Sequence, residues 1–308
     1  MLLALAGGVG AARFLRGLVE VHPPNDVTAI VNTGDDVRLH GLHISPDIDT
    51  VIYTLSDEVN PEAGWGLRDE TWRVMAELEG LGGLAWFRLG DRDLATHLYR
   101  TQRLAEGATL SIVTAELARS RGLALRVVPM SDDRVETRVV VAAEEIGFQE
   151  YFVKRQHAVA IESVRFAGVN DARPAGGVVD AIGSATAVIV CPSNPIVSIG
   201  PILAVAGVRD AIAARRDYTV AVSPIIAGAA LKGPADRMMS ELGMEPSVVG
   251  VARLYAPIAK ALVVDVADAD RAADIEAEGM KCVVVPTIMS GPAEAAALAR
   301  DVLKAAGT

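Results

Sequence analysis

The chain has 308 residues, with 39 acidic against 29 basic side chains and a formal charge of −10. At 51% hydrophobic and 22% charged residues it is too apolar for a disordered chain, and two cysteines in this length exclude a disulfide-stapled module. The acidic balance argues against wholesale binding of nucleic acid, which needs a basic face, and no charge-free apolar run is long enough to span a membrane.

The N-terminal run MLLALAGGVG has no basic residues ahead of it and does not read as a signal peptide, so the cytoplasm is the expected compartment. Aromatic residues are only 4%, so the core must be built from Ala, Val, Leu and Ile, as in a parallel sheet covered by helices. Leu2–Ala6 reads as a strand, Ala11–Val19 as a helix and Val27–Val31 as the next strand. Ser45-Pro46-Asp47 opens a helix, with Ser as N-cap, Pro at the first position and an acid facing the positive helix end. Ile48, Val51, Ile52 and Leu55 then repeat at the spacing of one buried face. Arg68–Leu78 is expected as a helix, Trp86–Leu89 as a short strand, Leu94–Leu104 as a helix, and a further helix runs from its Thr109 cap through Arg119.

The middle differs. Val135–Val141 alternates like an antiparallel or edge strand, Phe148–Arg155 reads as an aromatic-rich helix and Val159–Phe166 as a strand. Residues 105–168 are therefore expected to form an insertion or small α+β subdomain within one α/β domain spanning 1–308. The α/β rhythm then resumes. Val178–Ala185, Ile202–Ala214, Ala235–Leu242, Asp270–Glu278 and Ala293–Ala305 are expected helices. Val188–Cys191, Thr219–Ser223, Ala261–Val266 and Cys282–Val285 are expected strands, with both cysteines in the core. The predicted fold is a doubly wound, mostly parallel, Rossmann-like sheet.

Ligands of such sheets bind beyond the carboxyl ends of the strands. The loop after the first strand, Gly7-Gly8-Val9-Gly10, lets backbone N–H groups approach an anion at a helix start. It is not a Walker A loop, and Arg13 occupies the third glycine position of the dinucleotide fingerprint. Asn32-Thr33-Gly34-Asp35-Asp36, followed by Asp47 and Asp49, supplies hard oxygen ligands suited to Mg²⁺, while His40 and His43 without a nearby cysteine make zinc the weaker reading. Arg88, with Asp91, Arg92 and Asp93, offers a guanidinium for phosphate or carboxylate, or else a capped helix start. Ser193 and Asn194 lie in a proline-bounded loop suited to polar recognition, and Lys232 adds a point charge.

The segments GGVGAARFL, VNTGDDVRLHGLHISPDIDTVIYTL, WFRLGDRDLATHLYR, PSNPIVSIGPIL and SPIIAGAALKGPAD, in this order, resemble the 2-phospho-L-lactate transferase family of coenzyme F(420) biosynthesis. The resemblance implies transfer of a phospho-three-carbon acid from a guanosine diphosphate-linked donor to the ribityl 5′-hydroxyl of the deazaflavin Fo. GMP leaves, Mg²⁺ is required, and members pair as homodimers. It places Asp49 and Arg88 at the acceptor, and Gly7, Gly8, Gly10 and the Ser193–Asn194 loop at the guanosine diphosphate part; Asn32 and Lys232 are added to the binding set. Asp35, Asp36 and Asp49 are candidate metal ligands, and Asp49 is alternatively the acceptor of the hydroxyl proton. The donor's acid (lactate, enolpyruvate or glycerate) is left open. Competing readings are a non-catalytic nucleotide-sugar regulator of the same superfamily and an NAD(P)-dependent oxidoreductase, the latter disfavoured by the absent third glycine.

Overall fold

The computed structural model describes residues 1–308. Seven parallel strands form the central sheet: β1 (Leu2–Ala6), β2 (Val27–Val31), β3 (Arg126–Pro129), β4 (Ala187–Val190), β5 (Thr219–Val222), β6 (Ala261–Val264) and β7 (Lys281–Val284). Their order is β7-β6-β5-β4-β1-β2-β3. β1 sits between β2 and β4, with Leu2 in register with Val27 on one side and Ala187 on the other. The chain winds one way through β2 and β3, then returns and winds the other way from β4. The reversal opens a crevice at the ends of β1 and β4, the place where open α/β sheets hold ligands.

Strand alternation divides the interior into two cores. Leu3 and Leu5 point into one, with Ile182, Ile202 and Val251; Leu2, Ala4 and Ala6 point into the other, with Phe14, Val51 and Val113. The two contain 35 and 34 buried residues, so both faces of the sheet are covered, as an all-parallel sheet requires. Cys191 and Cys282 are free thiols, and Cys191 is fully buried.

Several sequence expectations shift. Trp86–Leu89 is not a strand: Leu89 packs instead in a small cluster with Ile44 and Met75. The helix expected at Arg68–Leu78 is Arg73–Gly80. The one expected at Ile202–Ala214 is two short helices, Ile199–Ala204 and Val208–Ala213, broken at Gly207 (φ 78). Phe148–Arg155 contains only a wide helical turn, Glu150–Lys154. Within residues 105–168, helix Leu110–Ser120 packs in the core and β3 joins the central sheet. The strands Glu136–Val141, Glu144–Gly147 and Ser163–Ala167 form a separate antiparallel sheet, with the first in the middle.

Helix Gly8–Val21 crosses helix Pro292–Ala306 with backbones in contact at Gly17, where a Cβ would overlap the peptide of Ala295–Ala296. Gly17→Ala should therefore lower unfolding stability by about 1–3 kcal/mol, the cost of overpacking a tight core. Urea denaturation checks this; an unchanged midpoint would show that the two helices do not meet so closely.

Candidate active site

The crevice holds a cavity of about 730 Å³. Its floor is a junction of two loops. Ser193, after β4, donates its hydroxyl to the Gly7 carbonyl oxygen at 2.8 Å and accepts from the Gly7 N–H at 3.3 Å. Gly10 lies so near the Pro192 carbonyl that a Cβ there would overlap the oxygen. Glycine is needed because the second loop fills the side-chain space of the first. Asn194 lines the cavity, but its oxygen accepts from the N–H groups of Ile196 (2.9 Å) and Val197 (3.3 Å) and so fixes its own turn.

Asn32, at the end of β2, is a fully buried hub and not a cavity wall. It donates to Asp47 Oδ2 at 2.9 Å and to the Val197 carbonyl at 3.3 Å, and accepts from the Gly34 N–H at 2.8 Å. The small antiparallel sheet braces the same loop: the Thr137 N–H donates to the Gly34 carbonyl at 2.7 Å, and Gln149 donates to the Asp35 carbonyl at 3.1 Å.

Asp35 and Asp47 are both buried. Burial, then the charges of Asp47 and Asp36, push the Asp35 carboxyl well above its ordinary range. Burial likewise raises Asp47 to about 7, against the hydrogen bond from Asn32. Asp36 accepts from His43 Nε2 at 2.9 Å and Ser45 Oγ at 2.7 Å through one oxygen. Its other oxygen, one oxygen of Asp35 and one of Asp49 are buried without a hydrogen-bond partner.

Asp49 belongs to a second group. Helix Pro46–Leu55 turns it toward helix Asp91–Ala105, where it pairs with the fully buried Arg100. His97 Nδ1 lies 3.2 Å from the Arg100 guanidinium and 3.7 Å from Asp49 Oδ2, and His97 Nε2 lies 3.2 Å from Asp93. The Tyr53 hydroxyl donates to Asp93 at 2.6 Å. The imidazole thus stands between the two carboxylates, with Nδ1 on the side of Arg100 and Asp49 and Nε2 on that of Asp93. Burial raises the Asp49 carboxyl, with the charges of Arg100 and His97 pulling against it. At Asp93, burial also acts upward, but the His97 contacts and the Tyr53 hydroxyl bring the carboxyl below its ordinary value.

The structure thus does not gather Asp35, Asp36 and Asp49 into one trio. The ligating atoms that lie within 4.8 Å of one another are those of Asp49, Asp93 and His97. Arg88 lines the cavity but is exposed, with its guanidinium stacked 4.7 Å over Trp72. Lys232 also lines it and donates to the Ala63 carbonyl at 3.2 Å. Asp91 has a structural task, accepting from Thr71 and from the N–H groups of Arg73 and Val74 at the start of helix Arg73–Gly80. Tyr53, His97 and Arg100 escaped the reading of single motifs, and Asp93 was read only with the loop before it. The available signal was their spacing: Asp93, His97 and Arg100 stand at i, i+4 and i+7, one face of a helix.

A Rossmann-like sheet whose crevice joins a glycine loop to buried carboxylates defines a class of α/β proteins with a ligand cavity where the winding reverses. Within that class, the chain belongs to the 2-phospho-L-lactate transferase family: the family model 2-phospho-L-lactate transferase CofD matches residues 2–294. A phosphoenolpyruvate transferase of Streptomyces griseus subsp. griseus is 46% identical, over 99% of this chain and 98% of its own. Relatives of the same name from Kitasatospora aureofaciens and Mycolicibacterium smegmatis are 46% and 40% identical, each over 98% of this chain and over 96% and 98% of their own. A crystal structure of a UPF0052 family protein from Bacillus halodurans superposes with a TM-score of 0.64 at 16% identity, covering 98% of both chains, and shares the fold. The protein is a phospho-transferase of coenzyme F(420) biosynthesis. No helix is long and apolar enough to cross a membrane.

Arg100→Met would leave Asp49 buried without its counter-charge and should lower stability by about 3–5 kcal/mol. Arg100→Lys, which keeps the charge but loses the fork, should fall between it and the wild type. Denaturant melts of the three proteins check the order, and a wild-type midpoint for Arg100→Met would show that the pair does not hold the helices together.

Proposed function

We propose that the protein transfers an enolpyruvyl phosphate group from a guanosine diphosphate-linked donor to the ribityl 5′-hydroxyl of Fo. The new bond joins the 5′-oxygen to the phosphorus bearing the acid. The phosphoanhydride bond to the nucleotide breaks, GMP leaves, and the hydroxyl proton passes to a base. The observation that carries this reading is that one cavity is lined both by the Gly7–Gly10 and Ser193 loops and by Asp49 and Arg88. A nucleotide phosphate suits the N–H groups of the first side, and an acceptor hydroxyl suits the carboxylate of the second. The enolpyruvyl choice draws on the relatives, which carry the name phosphoenolpyruvate transferase; the 2-phospholactyl group is the alternative.

Asp49 Oδ2 is the oxygen left available by the Arg100 pair, which suits it to accept the hydroxyl proton. Tyr53, Asp93 and His97 hold that carboxylate's surroundings fixed, so little reorganisation is needed when charge develops. Arg88, steadied on Trp72, is placed to contact the acceptor or the acid's carboxylate.

The residues fit Mg²⁺. Asp35, Asp36 and Asp49 each keep a buried oxygen without a partner, and Asp35 and Asp47 share a site with no counter-cation, a costly arrangement for carboxylates alone. Asp35 and Asp36, with Asp47 beside them, are the residues that would hold the ion, while Asp49 stays paired with Arg100. The ion would supply positive charge to phosphoryl oxygens.

A mass-spectrometric endpoint assay tests the reading. Fo and Mg²⁺ are incubated with the protein and with the lactyl, enolpyruvyl or glyceryl donor in turn. A deazaflavin phosphodiester and GMP should form, most with the enolpyruvyl donor, and EDTA should abolish them. Folded protein that makes no product from any donor would overturn the proposal. Asp49→Asn should cut turnover by about 10²-fold or more, the usual contribution of a positioned proton acceptor. Because Asn cannot offset the buried Arg100 charge, it should also lower the melting midpoint; circular dichroism separates the two effects.

A further inference from the structure

Three cations line the cavity without a carboxylate partner: Arg88, stacked on Trp72, and the neighbouring pair Arg13 and Lys232. Arg13 is half-buried on helix Gly8–Val21, at the place where a dinucleotide fingerprint would carry its third glycine. Lys232 comes from the loop that follows the hairpin strands Ile225–Ile226 and Ala229–Ala230. Asp268 anchors that hairpin by accepting from the Ala227 N–H with both oxygens, at 3.1 and 3.0 Å, where Ala227 is held at φ 50.

Arg13 has no salt-bridge partner, and the Lys232 ammonium donates only to the Ala63 carbonyl oxygen. Like other cations of the chain they have no carboxylate partner, but these two are drawn together inside the cavity. Their heads converge at Gly64: a Cβ there would lie 3.1 Å from Lys232 Nζ and 3.8 Å from Arg13 Nη2. The lysine carries the strain of the arrangement, since partial burial and then the Arg13 charge lower its pKa.

We propose that Arg13 and Lys232 form a clamp for a phosphate or diphosphate group, acting with the backbone N–H groups that open the helix carrying Arg13. An anion between them would relieve the repulsion and meet the positive helix end at the same point. The clamp is built from two strand-end loops, after β1 and after β5, and the Ala63–Gly64 loop closes over it. In the reaction proposed above, on which the choice of ligand rests, it would bind the nucleotide's phosphates.

Calorimetric titration of the full chain with GDP, pyrophosphate and guanosine tests the clamp in wild type, Arg13→Met and Lys232→Met. Neither side chain is buried in the core, so unfolding midpoints should be unchanged. Each variant should bind GDP and pyrophosphate about tenfold or more weaker, the loss expected for a charge-assisted contact, with a shallower salt dependence. Guanosine binding should be unaffected. Unchanged GDP and pyrophosphate binding in both variants would overturn the clamp, as would an equal loss for guanosine or a wild type that binds neither anion. A wild type that binds GDP through these residues yet forms no product with any donor would leave the clamp standing and remove the transfer reaction alone.

Discussion

The contact between the loops after β1 and β4 is the constraint on which the rest of the molecule depends. The strands diverge where the winding reverses, yet Ser193 ties the two loops together by donating to and accepting from Gly7, and Gly10 admits the Pro192 carbonyl. Any side chain at Gly10 would push them apart. With the floor closed, backbone N–H groups face a cavity and not a solvent gap, and the positive end of helix Gly8–Val21 is aimed into it. Asn32 carries the same tie sideways, linking the end of β2 to Asp47 and to Val197.

Above that floor the site is organised by charge. One group of carboxylates, Asp35, Asp36 and Asp47, lacks a matching cation side chain. The other, Asp49 and Asp93, is matched by Arg100 and His97. The first has the character of a cation site, the second that of a pre-set electrostatic frame. The cavity's neighbouring cations, Arg13 and Lys232, lie apart from both groups and are not neutralised by either.

The sheet was legible because its strands are β-branched or aliphatic runs followed by turn signals, as at Val27–Val31 and Val188–Cys191. β3 was missed because Arg126–Pro129 is short, begins with an exposed arginine and ends on a proline, at the edge of the sheet. Trp86–Leu89 misled because three apolar residues in four resemble a strand, although what they fill is a small cluster beneath a loop. The candidate site residues were found where an unusual residue followed a strand. The Asp93–His97–Arg100 face was not, because helix Asp91–Ala105 inverts the usual rule: Leu98 and Tyr99 are exposed while His97 and Arg100 are buried. Hydrophobic periodicity points such a helix the wrong way round.

That inversion also bears on how the molecule breathes. A helix seated by ionic and hydrogen-bonded partners, with Leu98 and Tyr99 turned outward and Leu104 packed against one of the main cores, contributes little apolar area to them. Its free energy of local opening is set by electrostatics and is separable from that of the sheet. The Gly7–Gly10 and Ser193 loops and the helix carrying Asp49 are rooted in the aliphatic cores, whereas helix Asp91–Ala105 is docked onto Asp49 largely by charge. The Asp93–His97–Arg100 face can therefore open as a local unit while the sheet and its glycine loop stay intact.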